Sequence, residues 1–377
     1  MNDIKMTNVP SLSVDKAVDE LASVYCSFIE SNIPIKNVPS VMLWGPPGVG
    51  KSQGVTQIAR KIEAETGKTV VVTDVRLLLF NPIDLRGIPT SNQDKTLAVW
   101  LKPKIFDMDE SESVVNILFL DEISAAPQSV QAAAYQITLD RVVGEHKLPD
   151  NCIVIAAGNR ITDKSVAYKM PKALANRLLH IEIKGSYSSW EKWARDAGIN
   201  QKVLDFLAAR KDLLMNFDPA SSDLAFPTPR TWEMVSEILN SVSDDTEKMY
   251  PLIAGLIGAG TAVVFREWDK IHNDVPSMQD IFNGVPVPVP TKSDVLYMLA
   301  TSMISHAKEH KDDFEGLENS IIYASKMPAE FSTIIIRKYL HLWDGEKNQE
   351  ANKQKIFAMP VFQKWLREKG ELLNGSI

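Results

Sequence analysis

Residues 41–52 of the chain read VMLWGPPGVGKS. The last eight residues, Gly45-Pro46-Pro47-Gly48-Val49-Gly50-Lys51-Ser52, match the phosphate-loop pattern G-x-x-x-x-G-K-[ST] at every fixed position. An apolar run of strand length precedes them, and residues 53–66 predict a helix. In this context the glycines let the backbone curl around a phosphate, while the helix N-terminus adds a favourable dipole. We expect Lys51 to reach the β- and γ-phosphates of a nucleotide and Ser52 to offer its hydroxyl to Mg²⁺.

Apolar segments of strand length recur through the first half of the chain and alternate with helix-like segments. The predicted strands are residues 41–44, 69–74, 114–120, 152–157 and 179–183. Continuous apolar strands separated by helices predict a parallel sheet that is covered on both faces, so the fold class is α/β. Residues 12–31 have helical spacing, and Ser13 is a candidate cap of that helix.

Strand-like segments stop after Gly185 and helix-like segments take over. Helices are predicted over 188–215, 228–243 and 250–270, and a proline cluster at 285–290 predicts a stiff extended linker. The predicted division is an α/β nucleotide-binding core at 1–184, a helical lid at 185–273, a linker at 274–290 and a helical C-terminal region at 291–377.

Two segments inside the α/β core have the wrong period for a helix. Residues 88–90 and 96–100 flank a polar turn at 91–95, and residues 141–148 have a glycine in mid-run. Both predict β-hairpins that project from the core, with solvated loops as the alternative.

Polar residues end two of the apolar strands on the side where a doubly wound sheet binds its ligand. Asp121 and Glu122 follow the strand at 114–120, so Asp121 is a candidate Mg²⁺ ligand and Glu122 a candidate base for the attacking water. Asn159 follows the strand at 152–157, where an amide can donate to a γ-phosphate or orient that water. The alternatives are a surface acidic pair and an Asx turn.

Arg177 precedes the strand at 179–183, and Arg230 begins the helix at 228–243. Either arginine could be a surface salt-bridge partner. Their position after the three nucleotide motifs raises both as candidates.

The order of these motifs resembles that of an AAA+ ATPase, over about residues 12–270. Residues 84–89 and 139–149 resemble the helix-2 insert and the hairpin before sensor 1 of the MoxR-like branch. The resemblance implies an αβα P-loop sandwich with an all-α lid and an ATPase that uses ATP and Mg²⁺. It makes Asp121 and Glu122 the Walker B pair and Asn159 sensor 1.

The same resemblance places Arg177 at the arginine finger, which acts on a neighbouring subunit, and Arg230 at sensor 2. Arg141 and Arg160 remain rivals for the role in trans. The resemblance further implies a hexameric ring that remodels a client protein or assists metal insertion, with a von Willebrand factor A protein as partner.

Composition narrows the function classes. The formal net charge is −7, and no Lys/Arg stripe marks a nucleic-acid footprint, so nucleic acid is an unexpected partner. A nucleic-acid motor or loader is the alternative function, and a non-hydrolysing scaffold is a third, although retention of Glu122 and Asn159 argues against it. Two cysteines predict a reducing cytoplasm, and no segment predicts a secretory signal or a membrane span.

Overall fold

A parallel sheet of six strands positions the glycine-rich loop in the computed structural model, which describes residues 9–163, 170 and 172–369. The chain divides into two compact units, Met1–Ala262 and Val263–Ile377. The strands are β1 (Ser11–Ser13), β2 (Val41–Trp44), β3 (Thr69–Arg76), β4 (Ile88–Ser91), β5 (Ala98–Leu101), β6 (Val114–Asp121), β7 (Val142–Val143), β8 (His146–Lys147), β9 (Cys152–Gly158) and β10 (Leu179–Lys184).

The α-helices, like the strands, are numbered in chain order. They are α1 (Val14–Glu30), α2 (Lys51–Thr66), α3 (Pro82–Arg86), α4 (Gln128–Asp140), α5 (Lys172–Ala175), α6 (Tyr187–Asp196), α7 (Gln201–Ala209), α8 (Pro229–Ser241), α9 (Thr246–Ile257), α10 (Ala259–Asn273), α11 (Met278–Phe282), α12 (Ser293–Glu309), α13 (Phe314–Ser325), α14 (Ala329–Tyr339), α15 (Gln349–Ala358) and α16 (Pro360–Lys369).

The strand order in the sheet is β1-β10-β2-β9-β6-β3, with every neighbouring pair parallel. The five predicted strands are confirmed, and four of them extend one or two residues further than predicted. The sixth strand, β1, lies partly in the segment predicted as the start of a helix. Its residues Ser11-Leu12-Ser13 carry too little apolar signal to predict a strand, but backbone pairing with β10 holds them extended.

Ser13 occupies the N-cap position of α1, as predicted, but its side chain makes no cap hydrogen bond. Its hydroxyl donates instead to the carboxylate of Asp15.

Alternating side chains of the strands fill two separate cores. In β9, Ile153, Ile155 and Ala157 pack with α1 and α2, whereas Val154 and Ala156 pack with α4. The period of two along a strand therefore covers the sheet with helices on both faces.

Both predicted hairpins are confirmed. Strands β4 and β5 pair antiparallel from Ile88↔Leu101 to Ser91↔Ala98. Strands β7 and β8 pair across Gly144, whose φ of 61° favours glycine in the turn.

Two of the long predicted helices are broken by glycines with left-handed backbone. The segment 188–215 forms α6, α7 and a short 3₁₀ turn, with Gly198 at φ 72° between the helices. The segment 250–270 forms α9 and α10 around Gly258 at φ 82°, where a Cβ atom would lie 2.8 Å from the carbonyl oxygen of Ala225. Apolar periodicity predicted these helices correctly but could not predict the breaks.

The second unit has a helical core around the buried side chains of Tyr339, Trp343 and Phe362. The proline-rich segment 285–290 is extended, and the Tyr323 hydroxyl donates to the carbonyl oxygen of Pro288 at 2.9 Å. No helix among the described residues is long and apolar enough to cross a membrane. The four-part division of the chain remains a prediction.

Candidate nucleotide site

The glycine-rich loop turns sharply between the end of β2 and the start of α2. Gly48 and Gly50 have φ of 75° and 101°, a backbone conformation that favours glycine. The N–H groups in the first turn of α2 have no partner inside the helix, so they are free to bind an anion. Residues 45–52 therefore combine the backbone conformation and the helix N-terminus that suit a bound phosphate.

The ammonium group of Lys51 bridges the loop to the neighbouring strand end. It donates to the carbonyl oxygens of Gly45 and Pro46 at 2.7 and 3.0 Å, and to Oδ1 of Asn159 at 3.0 Å. Burial lowers the pKa of Lys51 to about 8, although the negative charge of Asp121 opposes that shift. Lys51 is thus poised to gain from a bound phosphate, which would favour its charged form.

The Ser52 hydroxyl donates to Oδ2 of Asp121 at 3.0 Å. A hydroxyl and a carboxylate are hard oxygen ligands of the kind that Mg²⁺ prefers. No group of three or more His, Cys, Asp or Glu in the described part of the chain could hold a metal by itself. Mg²⁺ commonly takes its other ligands from waters and from substrate phosphates, so this donor pair fits the ion.

Glu122 is exposed and follows Asp121, one of the two candidate Mg²⁺ ligands, in the chain. Its φ of 59° is rare for a residue with a Cβ atom, and its N–H donates to Oδ1 of Asp121 at 2.8 Å. A carboxylate in this place is exposed to the water that a hydrolase would activate.

Asn159 is held by its side chain and by its backbone. Its side-chain oxygen accepts from Lys51, and its backbone N–H donates to Oγ of Ser124 at 2.9 Å. The preceding Gly158 permits this approach, since a Cβ atom there would lie 2.8 Å from the same Oγ. The ends of β6 and β9 are thereby joined next to the phosphate loop.

Asp74, on the edge strand β3, lies near Asp121, and sequence reasoning did not predict this proximity. Burial raises its pKa, and the negative charge of Asp121 raises it further, so the two carboxylates share one environment. An acidic residue near the carboxyl end of a β-branched strand was the available signal.

Helix α8 brings Arg230 to the same site. Thr228, just before this helix, lies against the loop, and a Cβ atom on Gly48 would be 2.8 Å from its Oγ1. The positive charge of Arg230 contributes to the lowering of the pKa of Lys51, so the two cations lie near each other. The Arg230 side chain is exposed.

Arg177 lies at the amino ends of the strands, opposite the carboxyl ends where the phosphate loop lies. It precedes Leu179, which pairs with Val41 at the start of β2, whereas the phosphate loop follows Trp44 at the end of that strand. The length of β2, about 13 Å, therefore separates Arg177 from its own loop. The structure does not bring this arginine together with Lys51, Asp121 and Asn159.

Both rivals of Arg177 are engaged inside their own subunit. Arg141 donates from Nη2 to the carbonyl oxygen of Cys152. Arg160 pairs with Asp163 and Glu182 at 2.8 and 2.6 Å. Arg177, by contrast, is exposed.

Comparisons with known proteins agree with this geometry. Residues 40–180 match the model of the ATPase family associated with various cellular activities (AAA). The chain is also 29% identical over 156 residues to "Chaperone MoxR1" of Mycobacterium tuberculosis. Both comparisons support a similarity of residues 40–180 to the MoxR-like AAA+ ATPases. The parallel sheet between layers of helices, followed by a helical C-terminal region, is the predicted AAA+ fold.

The match to the chaperone covers 40% of this chain and 37% of the relative. Solved structures similar to the chain include C. elegans PCH-2, with 15% identity over 69% of each chain and a TM-score of 0.35. A RuvB variant of Thermotoga maritima has 17% identity over 77% of this chain and 84% of its own, with a TM-score of 0.34. A chain of the E. coli MS115-1 HORMA:CdnC:Trip13 complex has 15% identity over 74% and 90%, with a TM-score of 0.37.

Replacing Gly48 tests the contact between the AAA+ phosphate loop and Thr228. Gly48→Ala should weaken nucleotide binding by about tenfold or more, because the new Cβ atom overpacks against Thr228. The matched control is Gly67→Ala, which has a similar φ of 68° but no heavy atom within 4 Å of its Cβ position. The control should leave the dissociation constant of a fluorescent ADP analogue within about twofold. Equal losses in the two variants would contradict the contact.

The lowered pKa of Lys51 predicts how nucleotide affinity changes with pH. A bound phosphate favours the charged lysine, so binding takes up a proton above the free pKa of about 8. The affinity should stay constant below that pKa and fall by up to about tenfold per pH unit above it. Titration of a fluorescent ADP analogue between about pH 7 and pH 10 measures this slope. Lys51→Arg stays charged in this range, so its affinity should lack the fall; an equal fall in both would reject Lys51 as the source.

Proposed function

We propose that the chain is a Mg²⁺-dependent ATPase of the AAA+ class that assembles into a ring and remodels a client protein. The convergence of Lys51, the Ser52–Asp121 pair and Asn159 at the carboxyl ends of three parallel strands carries this proposal. Together these groups present a cation, metal ligands and an amide to a nucleoside triphosphate.

Each residue has a chemical task in the proposed reaction. Lys51 and the loop N–H groups hold the phosphates, while Ser52 and Asp121 hold the metal ion, which would neutralise developing charge on the phosphates. Glu122 accepts a proton from the attacking water, and Asn159 orients that water or donates to the γ-phosphate.

The placement of the arginines supports a ring. Arg230 approaches Lys51 from helix α8 of the same subunit, so it can respond to the γ-phosphate. Arg177 is exposed at the amino ends of the strands, far from the phosphate loop of its own chain. From there it can reach only the nucleotide of a neighbouring subunit. A hexamer is the ring size that the family resemblance implies.

The remodelling role rests on the relative and on the projecting hairpins. The relative is named a chaperone. Ile88, Leu97 and Leu101 of the β4–β5 hairpin are exposed, Leu97 at 66%, and apolar side chains of this kind suit a protein client. A von Willebrand factor A protein is the proposed partner and the cytoplasm the proposed compartment.

Glu122→Gln separates nucleotide binding from hydrolysis. The variant should bind ATP with unchanged affinity and lose about a hundredfold or more in turnover, because an amide cannot accept the proton of the attacking water. Glu110→Gln is the matched control, since Glu110 is exposed in the loop before β6, at the amino ends of the strands and away from the nucleotide site. Phosphate release and equilibrium binding are the two measurements, and a Glu122→Gln variant that keeps its basal turnover would sink the enzyme proposal.

The ATP-loaded Glu122→Gln variant also tests the partner. We expect it to retain a von Willebrand factor A protein from a lysate of the source cells more strongly than its ADP-loaded form does. Recovery of nucleic acid alone, with ATPase activity stimulated by single-stranded DNA, would favour the motor or loader instead.

Mixing two inactive variants tests whether Arg177 acts in trans. Arg177→Ala should lose about a thousandfold in turnover, as arginine-finger variants do. Mixed with Glu122→Gln, it should regain activity at about a quarter of the sites, where an intact Glu122 faces a neighbour's intact Arg177. Subunit exchange before the phosphate-release assay is required, and each variant alone is the control. Failure to regain activity in rings shown to be mixed would place Arg177 outside the shared site.

A further inference from the structure

Arg160, the residue after Asn159, belongs to a group of three paired charges. Nη2 of Arg160 contacts Oδ1 of Asp163 at 2.8 Å, and Nη1 of Arg160 contacts Oε1 of Glu182 at 2.6 Å. The side chains of Asp163 and Glu182 are only 1% and 3% exposed. Paired charges at this depth lose hydration, so their geometry must be well defined to persist.

The backbone at Arg160 is held by the same group. Its N–H donates to Oδ2 of Asp163 at 2.9 Å, and the Asp163 N–H returns a bond to the Arg160 carbonyl oxygen at 3.0 Å. Asn159 immediately precedes Arg160 in the chain, and the Asn159 N–H donates to Oγ of Ser124, so the peptide groups on both sides of its side chain are hydrogen-bonded. The backbone that carries the Asn159 side chain is therefore anchored in part through Arg160.

Glu182 connects this group to the strand that leads into the helical segment. It lies in β10 beside Trp44 of β2, the residue that precedes the phosphate loop. The next residue, Ile183, places its carbonyl oxygen 2.6 Å from where a Cβ atom of Gly45 would be. Two residues after β10 ends, helix α6 begins at Tyr187.

The charges of the group also act on the phosphate-binding lysine. Asp163 favours the charged form of Lys51 and Arg160 disfavours it, so their positions affect the electrostatics of the phosphate site. One oxygen of Glu182, Oε2, is buried without a hydrogen-bond partner in the described structure.

We propose that Arg160, clamped by Asp163 and Glu182, is a positioning residue that holds the Asn159 amide at the γ-phosphate and links it to strand β10. The proposal rests on the proposed nucleotide site, and it assigns Arg160 a role in its own subunit. Discrimination between a triphosphate and a diphosphate is then the property that the clamp controls.

The test measures γ-phosphate discrimination, the ratio of the dissociation constants for ADP and ATPγS, which requires no hydrolysis. Arg160→Gln and Asn159→Ala should each reduce this ratio by about tenfold, the size of one lost hydrogen bond to a charged group. The double variant should lose no more than either single variant, because both changes remove the same contact. Arg195→Gln is the matched control: it breaks the exposed pair with Glu191 in α6 and should leave the ratio unchanged.

Additive losses in the double variant, or an unchanged ratio in folded Arg160→Gln, would overturn the positioning role. Glu182→Gln covers the case in which Arg160→Gln does not fold, because it keeps an oxygen that accepts from Arg160 while it removes the charge. It should reduce the ratio by about threefold at an unchanged melting temperature, and an unchanged ratio would again overturn the proposal.

The same measurements separate this inference from the proposed function. A wild-type protein that discriminates ADP from ATPγS but does not hydrolyse ATP would contradict the ATPase proposal and leave the positioning role of Arg160 in place. A wild type that hydrolyses ATP while Arg160→Gln keeps both its turnover and its discrimination would remove only the clamp. A wild type that binds ADP and ATPγS equally would remove the clamp as well.

Discussion

The candidate site depends on the hydrogen bonds of the Lys51 ammonium group. It lies in surroundings that disfavour its charge, and the carbonyl oxygens of Gly45 and Pro46 with the Asn159 amide satisfy its donors. All three acceptors belong to strand ends or to the loop between them, so the sheet determines where the cation lies. Any ligand that binds there must offer a better set of acceptors, and the oxygens of a phosphate do so.

The two ends of the parallel strands carry different groups of the proposed site. Lys51, Asp121 and Asn159 lie at the carboxyl ends, whereas Arg177 is exposed at the amino ends. Because parallel strands keep all their carboxyl ends together, one subunit cannot bring Arg177 to its own phosphate loop. The topology thus supports a site that is completed between subunits. Strand β10 runs from the amino end, next to Arg177, to the carboxyl end, next to the phosphate loop.

Sequence reasoning predicted the features with local signals. The phosphate loop, five strands and both hairpins follow from apolar periodicity and glycine positions. Strand β1 was missed because only pairing with β10, more than 160 residues later, holds it extended. Gly198 and Gly258 break helices through backbone angles that periodicity does not report.

The contacts of Arg160 show why part of the site could not be predicted. Its partner Glu182 lies 22 residues away in sequence and meets it only because β9 and β10 flank β2. From sequence alone Arg160 was a rival for the role in trans, whereas its ion pairs with Asp163 and Glu182 favour a role inside its own chain. Asp74 was missed for the same reason, since its proximity to Asp121 depends on the pairing of β3 with β6.

The strand order has a consequence for synthesis of the chain. Strand β2 is made early, but its neighbours β9 and β10 are made more than 100 residues later, with Val41 opposite Ile155 and Leu179. A nascent chain that stops before β9 has no neighbour for β2, so its glycine-rich loop has no sheet edge to project from. Closing such long loops is slow, and nucleotide can assist folding only in the last step. On the ribosome, the phosphate loop therefore emerges more than 100 residues before the strands that complete its binding site.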